Sequence, residues 1–247
     1  DGVYIDATVG GGGHTKAIVH KGGRVLGIDR DKDAIREASV QLKDEIQKGT
    51  VTLIQGNYRD IATIARSVKI NQCDGVLFDL GVSSHQLDTE SRGFAAKQSS
   101  ALLDGRFDQR SGRTIRDCIN TESGETLYEI FARFGEDKHS RAISHAVTSA
   151  RRIKPIDTAE DLARCVKSVI SDEHSVGRIM ARILQALRIY VNDELGALTH
   201  GLIETEMIVK PGGRIAVISY HSLEDRIVKL FVRNSAVFES ITSKPIV

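Results

Sequence analysis

Strand-length apolar runs and helical patterns alternate through the first third of the chain. They run GVYIDAT (2–8), a helix from about His14, RVLGID (24–29), a helix over DKDAIREASVQLKDEIQ (31–47), VTLIQG (51–56), a helix near 59–68, and GVLFDLG (75–81). Strands that are apolar throughout and separated by helices indicate an α/β fold with a mostly parallel sheet covered on both faces. In such sheets ligands bind at the carboxyl ends of the strands.

The rhythm breaks after residue 83. Residues 84 to about 115 are polar, rich in Ser, Gly and Arg, and hold no convincing strand, which predicts a long active-site loop. Residues 121–188 carry helical spacing only, as in Leu127, Ile130, Phe131 and Phe134 or Ile179, Ile183, Leu184 and Leu187. A helix around 190–208 then leads to KPGGRIAVISYHS, where Pro211, Gly212 and Gly213 predict a turn into a buried strand. The predicted organisation is a first part of a cofactor-binding domain (1–100), an inserted loop and helical subdomain (101–188), and the return of the first domain (189–247).

The directly constraining local feature is YIDATVGGGGHT (4–15), a run of glycines between a strand and a helix. The dinucleotide fingerprint G-x-G-x-x-G fails, because the frame from Gly10 meets Thr15 and the frame from Gly11 meets Lys16. No Lys-Ser or Lys-Thr follows as a phosphate-binding loop requires. What remains is a turn where backbone must approach a flat or bulky ligand, as adenosyl cofactors need. Asp29 closes the second strand, where a carboxylate can accept from ribose hydroxyls or simply cap a helix. Asp79 closes the fourth strand in a position suited to a group between cofactor and acceptor, or equally to a loop cap.

Bulk charge excludes little: 34 Lys and Arg oppose 33 Asp and Glu, so any nucleic-acid surface must be local. Cys73, Cys118 and Cys165 are far apart with no CxxC pair, which predicts buried thiols rather than a disulfide framework, and no metal site. No apolar run reaches the length of a membrane span, so the chain is expected to be soluble. It opens on Asp1 directly before a strand pattern and closes on Val247 after an apolar stretch, as a piece of a longer protein would.

TVGGGGHT (8–15), GIDRD (27–31), FDLGVSSHQLD (78–88), RGF (92–94), FGEDKH (134–139), QALRIYVNDEL (185–195), KPGGR (210–214) and SYHSLEDRIVK (219–229) together resemble the RsmH/MraW family. The resemblance spans nearly the whole chain, in order. It implies a Rossmann-like class I methyltransferase that uses S-adenosyl-L-methionine to methylate the exocyclic N4 of a cytosine in small-subunit ribosomal RNA. By the same resemblance, Gly12, Gly13 and His14 contact the cofactor at the turn, Asp29 its ribose, Tyr58 its adenine, and Asp79 and Gln86 its methionine end. Asp79 is then the first candidate to orient the amine, with Asp104, His221 and Ser222 behind it. In the long loop the chain reads SSALLDGRFDQ, keeping Asp104, Arg106 and Asp108 but lacking the family's Asp-Gly-Pro lead-in.

The expected partner is small-subunit rRNA or the small ribosomal subunit. Arg141, Arg151, Arg152, Lys154, Arg178, Arg182, Arg226, Lys229 and Arg233 are candidates to hold its backbone, against the alternative of solvated helix faces. Scarce aromatics and the absence of Trp argue against extended base stacking. Other readings are a methyltransferase acting on a small molecule or protein, and a catalytically weak RNA-binding ribosome assembly factor that kept the fold. FGEDKH is closer to the mitochondrial branch of the family, so the expected place is the mitochondrial matrix in a eukaryote and the cytoplasm in a bacterium. A dimer is one open option for the oligomeric state.

Overall fold

The computed structural model describes residues 2–83, 86, 92, 102–110 and 112–242. Contacts divide the chain into two compact units, 1–81 with 195–247, and 82–194.

The first unit opens with β1 (Val3–Asp6), α1 (Gly13–His20), β2 (Arg24–Asp29), α2 (Lys32–Gln41), α3 (Lys43–Gln47) and β3 (Val51–Gln55). A short 3-10 turn (Tyr58–Asp60), α4 (Ile61–Ser67) and β4 (Cys73–Asp79) follow. Within the second unit lie α5 (Ile115–Thr121), α6 (Gly124–Gly135), α7 (Ser140–Ala150), α8 (Ala159–Lys167) and α9 (Glu173–Asn192). The chain then returns through α10 (Glu194–Thr205), β5 (Val209–Ile218) and α11 (Ser222–Asn234).

All strands are parallel, in the order β3-β2-β1-β4-β5. This is the Rossmann-like α/β architecture. Because β1 lies between β2 and β4, the chain reverses its direction of travel across the sheet there, the place outside the carboxyl strand ends where sheets of this kind bind their ligands. Ile5, Leu26, Ile28, Val76 and Phe78 pack with Ile61 and Ala65 of α4 and with Leu198 and Leu202 of α10. Each large side chain removed from water contributes roughly 1.5–3 kcal/mol, so this core fixes where the strand ends stand.

Two sequence expectations are corrected here. The helix predicted over 31–47 is two helices, broken at Leu42, whose backbone leaves the helical region (φ −107°, ψ 24°) while its side chain is fully buried. The apolar periodicity continues across this break, so spacing alone hides it. The strand expected to be buried is half-exposed: β5 is an outer strand of the sheet, and from Gly212 to Ile218 every second residue is exposed. KPGG is also not a turn ahead of it. Cys73 pairs Val209 and Gly75 pairs Arg214, so the extra residues form a bulge inside the strand, with Gly212 at φ 79°.

In the second unit Leu103, Ile115, Ile119, Leu127, Phe131, Ile143, Leu162 and Ile183 form a separate core. Capping boxes start two of its helices, Thr114 with Asp117 and Thr158 with Asp161. Arg151 donates to the carbonyls of Ile119 and Glu122, closing the carboxyl end of α5. α9 continues to Asn192, past the change expected at 188/189. The expected loop lies partly outside the described residues. Its 102–110 stretch is held tightly: Phe107 N–H donates to Asn192 Oδ1 (2.8 Å), and Asn192 Nδ2 donates to Gly105 O (2.8 Å).

Candidate active site

The glycine turn is shaped by what a side chain would strike. Gly12 is left-handed (φ 91°) and N-caps α1; a Cβ there would come 2.8 Å from Leu42 Cδ1. That contact explains why buried Leu42 and Gly12 belong together. At Gly10 a Cβ would meet nothing closer than 3.9 Å, and at Gly13 nothing within 4 Å, so the other side of the turn is open. Gly11 is closed in by Glu37, whose Oε1 would lie 3.0 Å from a Cβ there, so the open backbone is that of Gly10 and Gly13, at the carboxyl edge of the sheet.

Asp29 is wired into that turn. Gly10 N–H donates to its Oδ2 (3.0 Å) and Asp31 N–H to its Oδ1 (2.9 Å). Desolvation pushes its carboxyl up to about 6, only partly offset by these two N–H bonds. Each oxygen keeps a lone pair for a ligand hydroxyl. The N-cap of α2 is Asp31, which accepts from Asp33 N–H (2.9 Å), so Asp29 does not serve as the helix cap.

Asp79, at the end of β4, is the centre of a second cluster. Its N–H donates to Thr8 Oγ1 (2.7 Å), Tyr220 Oη donates to its Oδ1 (3.0 Å), and His14 Nε2 lies 3.3 Å from its Oδ2. His14 belongs to α1 and Tyr220 follows β5, so two separate segments reach the Asp79 carboxylate, while Thr8, which follows β1, holds its backbone N–H. Buried Asp6, at the end of β1, adds another. It accepts from Thr15 Oγ1 (2.7 Å), and burial raises its pKa.

The other expected site residues fall as follows. Tyr58 is half-buried, its ring edge-on to Phe78 at 5.5 Å between centroids. His221 is the N-cap of α11: its Nδ1 accepts from Glu224 N–H (3.4 Å) and its Nε2 sits 3.2 Å from Glu224 Oε1. That places His221 in a capping role, with Ser222 as the first residue of the helix. In the inserted unit, Gln86 is buried and its Oε1 accepts from Ser83 N–H (3.0 Å). Asp104 accepts a two-pronged bond from Arg106, Nε to Oδ1 (2.8 Å) and Nη2 to Oδ2 (2.9 Å).

Asp6, Thr8, Thr15 and Tyr220 were not singled out by sequence. The available signal was a charged residue closing the apolar run YID, with hydroxyls flanking the glycines. Nothing local marks Tyr220, which reaches Asp79 across 141 positions. All three thiols are buried, and burial raises the Cys73 thiol to about 11 and the Cys118 thiol to about 12, which makes them poor nucleophiles. Among the described residues no cluster of His, Cys, Asp and Glu could hold a metal, and no helix is long and apolar enough to cross a membrane.

A family model described as the MraW methylase family matches residues 1–245. The chain is 44% identical over 243 residues to "Ribosomal RNA small subunit methyltransferase H" of Deinococcus deserti, covering 98% of this chain and 79% of that one. Proteins of the same name match at 44% in Syntrophotalea carbinolica (94% and 74% covered) and at 42% in Deinococcus radiodurans (99% and 76%). These relatives are bacterial, and the mitochondrial placement expected from FGEDKH finds no support among them. That motif has a structural job here: Asp137 is buried and bonds His139 Nδ1 (2.8 Å) at the start of α7.

Proposed function

This chain belongs to the MraW methylase family, and on that premise we propose that it transfers a methyl group from S-adenosylmethionine to the exocyclic N4 of a cytosine in small-subunit ribosomal RNA. The observation that carries this reading is the pairing of an open glycine turn and Asp29 with a carboxylate, Asp79, held by Tyr220 and His14 at the same sheet edge. The relatives' names supply the substrate class; the base and the atom rest on the resemblance of the motifs.

When bound, S-adenosylmethionine supplies an electrophilic methyl group and leaves as a neutral thioether. The turn from Gly10 to Gly13 with His14 would cradle it, Asp29 would accept from its ribose hydroxyls, Tyr58 would border its adenine, and Asp79 would face its methionine end. Cytosine N4 is a weak nucleophile because its lone pair is delocalised into the ring. Asp79 therefore has two tasks: to accept a hydrogen bond that orients the amine, and to stabilise the positive charge that grows on N4 as the N–C bond forms. The amine then sheds one proton, which Asp79 receives and His14, 3.3 Å away, relays. No covalent enzyme intermediate is needed, in keeping with the raised thiol pKa values.

The inserted unit serves RNA binding. Several expected basic residues are engaged elsewhere: Arg151 holds two carbonyls, Lys154 lies 3.7 Å from Asp161, and Lys229 bonds Asp225 (2.7 Å). A cleft of about 560 Å³ in the inserted unit is lined by Lys138, Arg178 and Arg182 beside Glu136, Asp137 and Asp172, with Arg182 3.5 Å from Asp137, so its charge is mixed and does not by itself favour a phosphate backbone. The bacterial relatives favour a cytoplasmic setting, with the small subunit as partner.

Asp79→Asn keeps shape and removes charge. At saturating cofactor its single-turnover methylation rate should fall about 100-fold, with RNA affinity little changed. Recovery of the rate by excess cofactor would assign Asp79 to the methionine ammonium instead, and full activity at sub-saturating cofactor would remove it from the site.

A further inference from the structure

We propose that Tyr220 is the platform on which the acceptor base stacks, its ring fixing the plane of the heterocycle while its hydroxyl holds Asp79 toward the amine. This inference rests on the reading that the acceptor is a nucleobase.

Tyr220 is 70% exposed, whereas Phe78 and Phe131 are fully buried and Tyr190, the other exposed aromatic among the described residues, is 38% exposed. A large ring left in water at the carboxyl edge of the sheet forgoes burial energy that a flat ligand would recover. The ring is nevertheless fixed. Tyr220 N–H donates to Glu224 Oε2 (3.0 Å), and Glu224 is itself buried. The next residue, His221, caps α11, so the backbone on which the ring is mounted is the entry to a helix. At the far end of the ring, Oη donates to Asp79 Oδ1 (3.0 Å). Between the two anchors the ring lies beside Gly81, where a Cβ would sit in ordinary contact, 3.5 Å from Tyr220 Cδ2, and where the positive φ of 96° favours glycine.

An aromatic held at both ends, exposed between them, and bonded to the carboxylate that receives the amine can position a planar ring in two ways at once. Stacking sets the height of the ring, and Asp79 sets its in-plane rotation. A flexible aliphatic acceptor, such as a protein amide side chain, would gain nothing from the first. Tyr220 therefore selects the substrate class as well as its pose.

The test compares Tyr220→Ala and Tyr220→Phe with the wild type in the whole protein. Base–aromatic stacking measured by alanine substitution implies a fall in kcat/KM for RNA of about 5- to 150-fold in the Ala variant, carried mainly by KM. S-adenosylmethionine affinity should stay within about twofold. The Phe variant should keep the wild-type KM and lose only rate, because the ring remains and Asp79 loses one donor. A short RNA with a fluorescent cytidine analogue at the acceptor position gives a readout independent of methyl transfer: wild type and Phe should quench it on binding, and Ala should not. Quenching by Ala equal to wild type, equal defects in Phe and Ala, or a parallel loss of cofactor affinity in Ala would each overturn the proposal. A wild type that quenches the analogue but methylates no cytosine would overturn the proposed reaction and leave the stacking role standing.

Discussion

Replacing Asp29 with Asn removes a charge from the floor of the glycine turn, and the structure sets both the size and the pH dependence of the result. The Asp29 carboxylate accepts from two N–H groups, Gly10 at 3.0 Å and Asp31 at 2.9 Å, one on each oxygen. An Asn side chain has a single acceptor oxygen, so one N–H loses its partner, at a cost of about 1–3 kcal/mol in stability. The charge-assisted bond to the ribose is lost as well, worth roughly 1.5–3 kcal/mol, so cofactor affinity should fall about 10- to 150-fold at about pH 8. The wild-type carboxyl titrates near 6, raised by burial from the ordinary 3.8. At about pH 5 only about a tenth of it is ionised, so wild-type affinity should drop about tenfold between about pH 8 and about pH 5. The amide of Asp29→Asn cannot titrate, so the variant's affinity should be flat over this range.

The sign for stability is the reverse. Between 3.8 and about 6 the folded protein binds the Asp29 proton that the unfolded chain releases. This group alone therefore makes the ligand-free protein more stable as the pH falls through that window, and less stable as it rises. Calorimetric titration of cofactor at several pH values, with melting curves alongside, checks both. Wild-type affinity independent of pH would refute the reasoning, and an Asn variant that keeps the full pH slope would shift the titration to another group such as Asp6, whose carboxyl is also raised by burial.

Gly12→Ala should destabilise the fold by about 1–3 kcal/mol, read as a lower Tm, because its φ of 91° and the 2.8 Å approach to Leu42 both oppose a Cβ. Unchanged Tm would mean that the turn can relax. Arg151→Ala should loosen the inserted unit by a similar amount, since it leaves two carbonyls without their donor. Arg152→Ala, at an exposed position, should spare Tm and reduce the salt slope of RNA binding by about one. The opposite pattern would exchange their roles.

The parallel sheet was legible because β1 to β4 are apolar runs separated by helical spacing, a pattern that only a two-layered cover satisfies. The glycine turn stood out in the sequence because it lies between an apolar run and a helical pattern, and Asp29 because it closes the second strand. Leu42 could not, since a helix break that keeps the apolar period leaves no trace in spacing. β5 misled because its apolar run reads as core, although on this outer strand half-buried Ile215 and Val217 alternate with exposed Arg214, Ala216 and Ile218. His221 looked chemically versatile in the sequence, and only coordinates show its Nδ1 capping α11. Tyr220 and Asp79 stand on different strands' ends, and a bond across so long a separation is invisible to any local pattern. Arg151 was one of many basic residues until its two carbonyl partners singled it out.

The central claim is methyl transfer to cytosine N4, and nucleoside analysis tests it most directly. Small ribosomal subunits lacking the modification, incubated with the purified protein and S-adenosylmethionine, would be digested and resolved by mass spectrometry against synthetic standards. The account predicts a new nucleoside one methyl heavier than cytidine that co-elutes with N4-methylcytidine and is absent without protein or cofactor. Methylation at carbon 5 or the ribose, or stable binding to the subunit with no methylation, would contradict it, the latter in favour of an RNA-binding assembly factor.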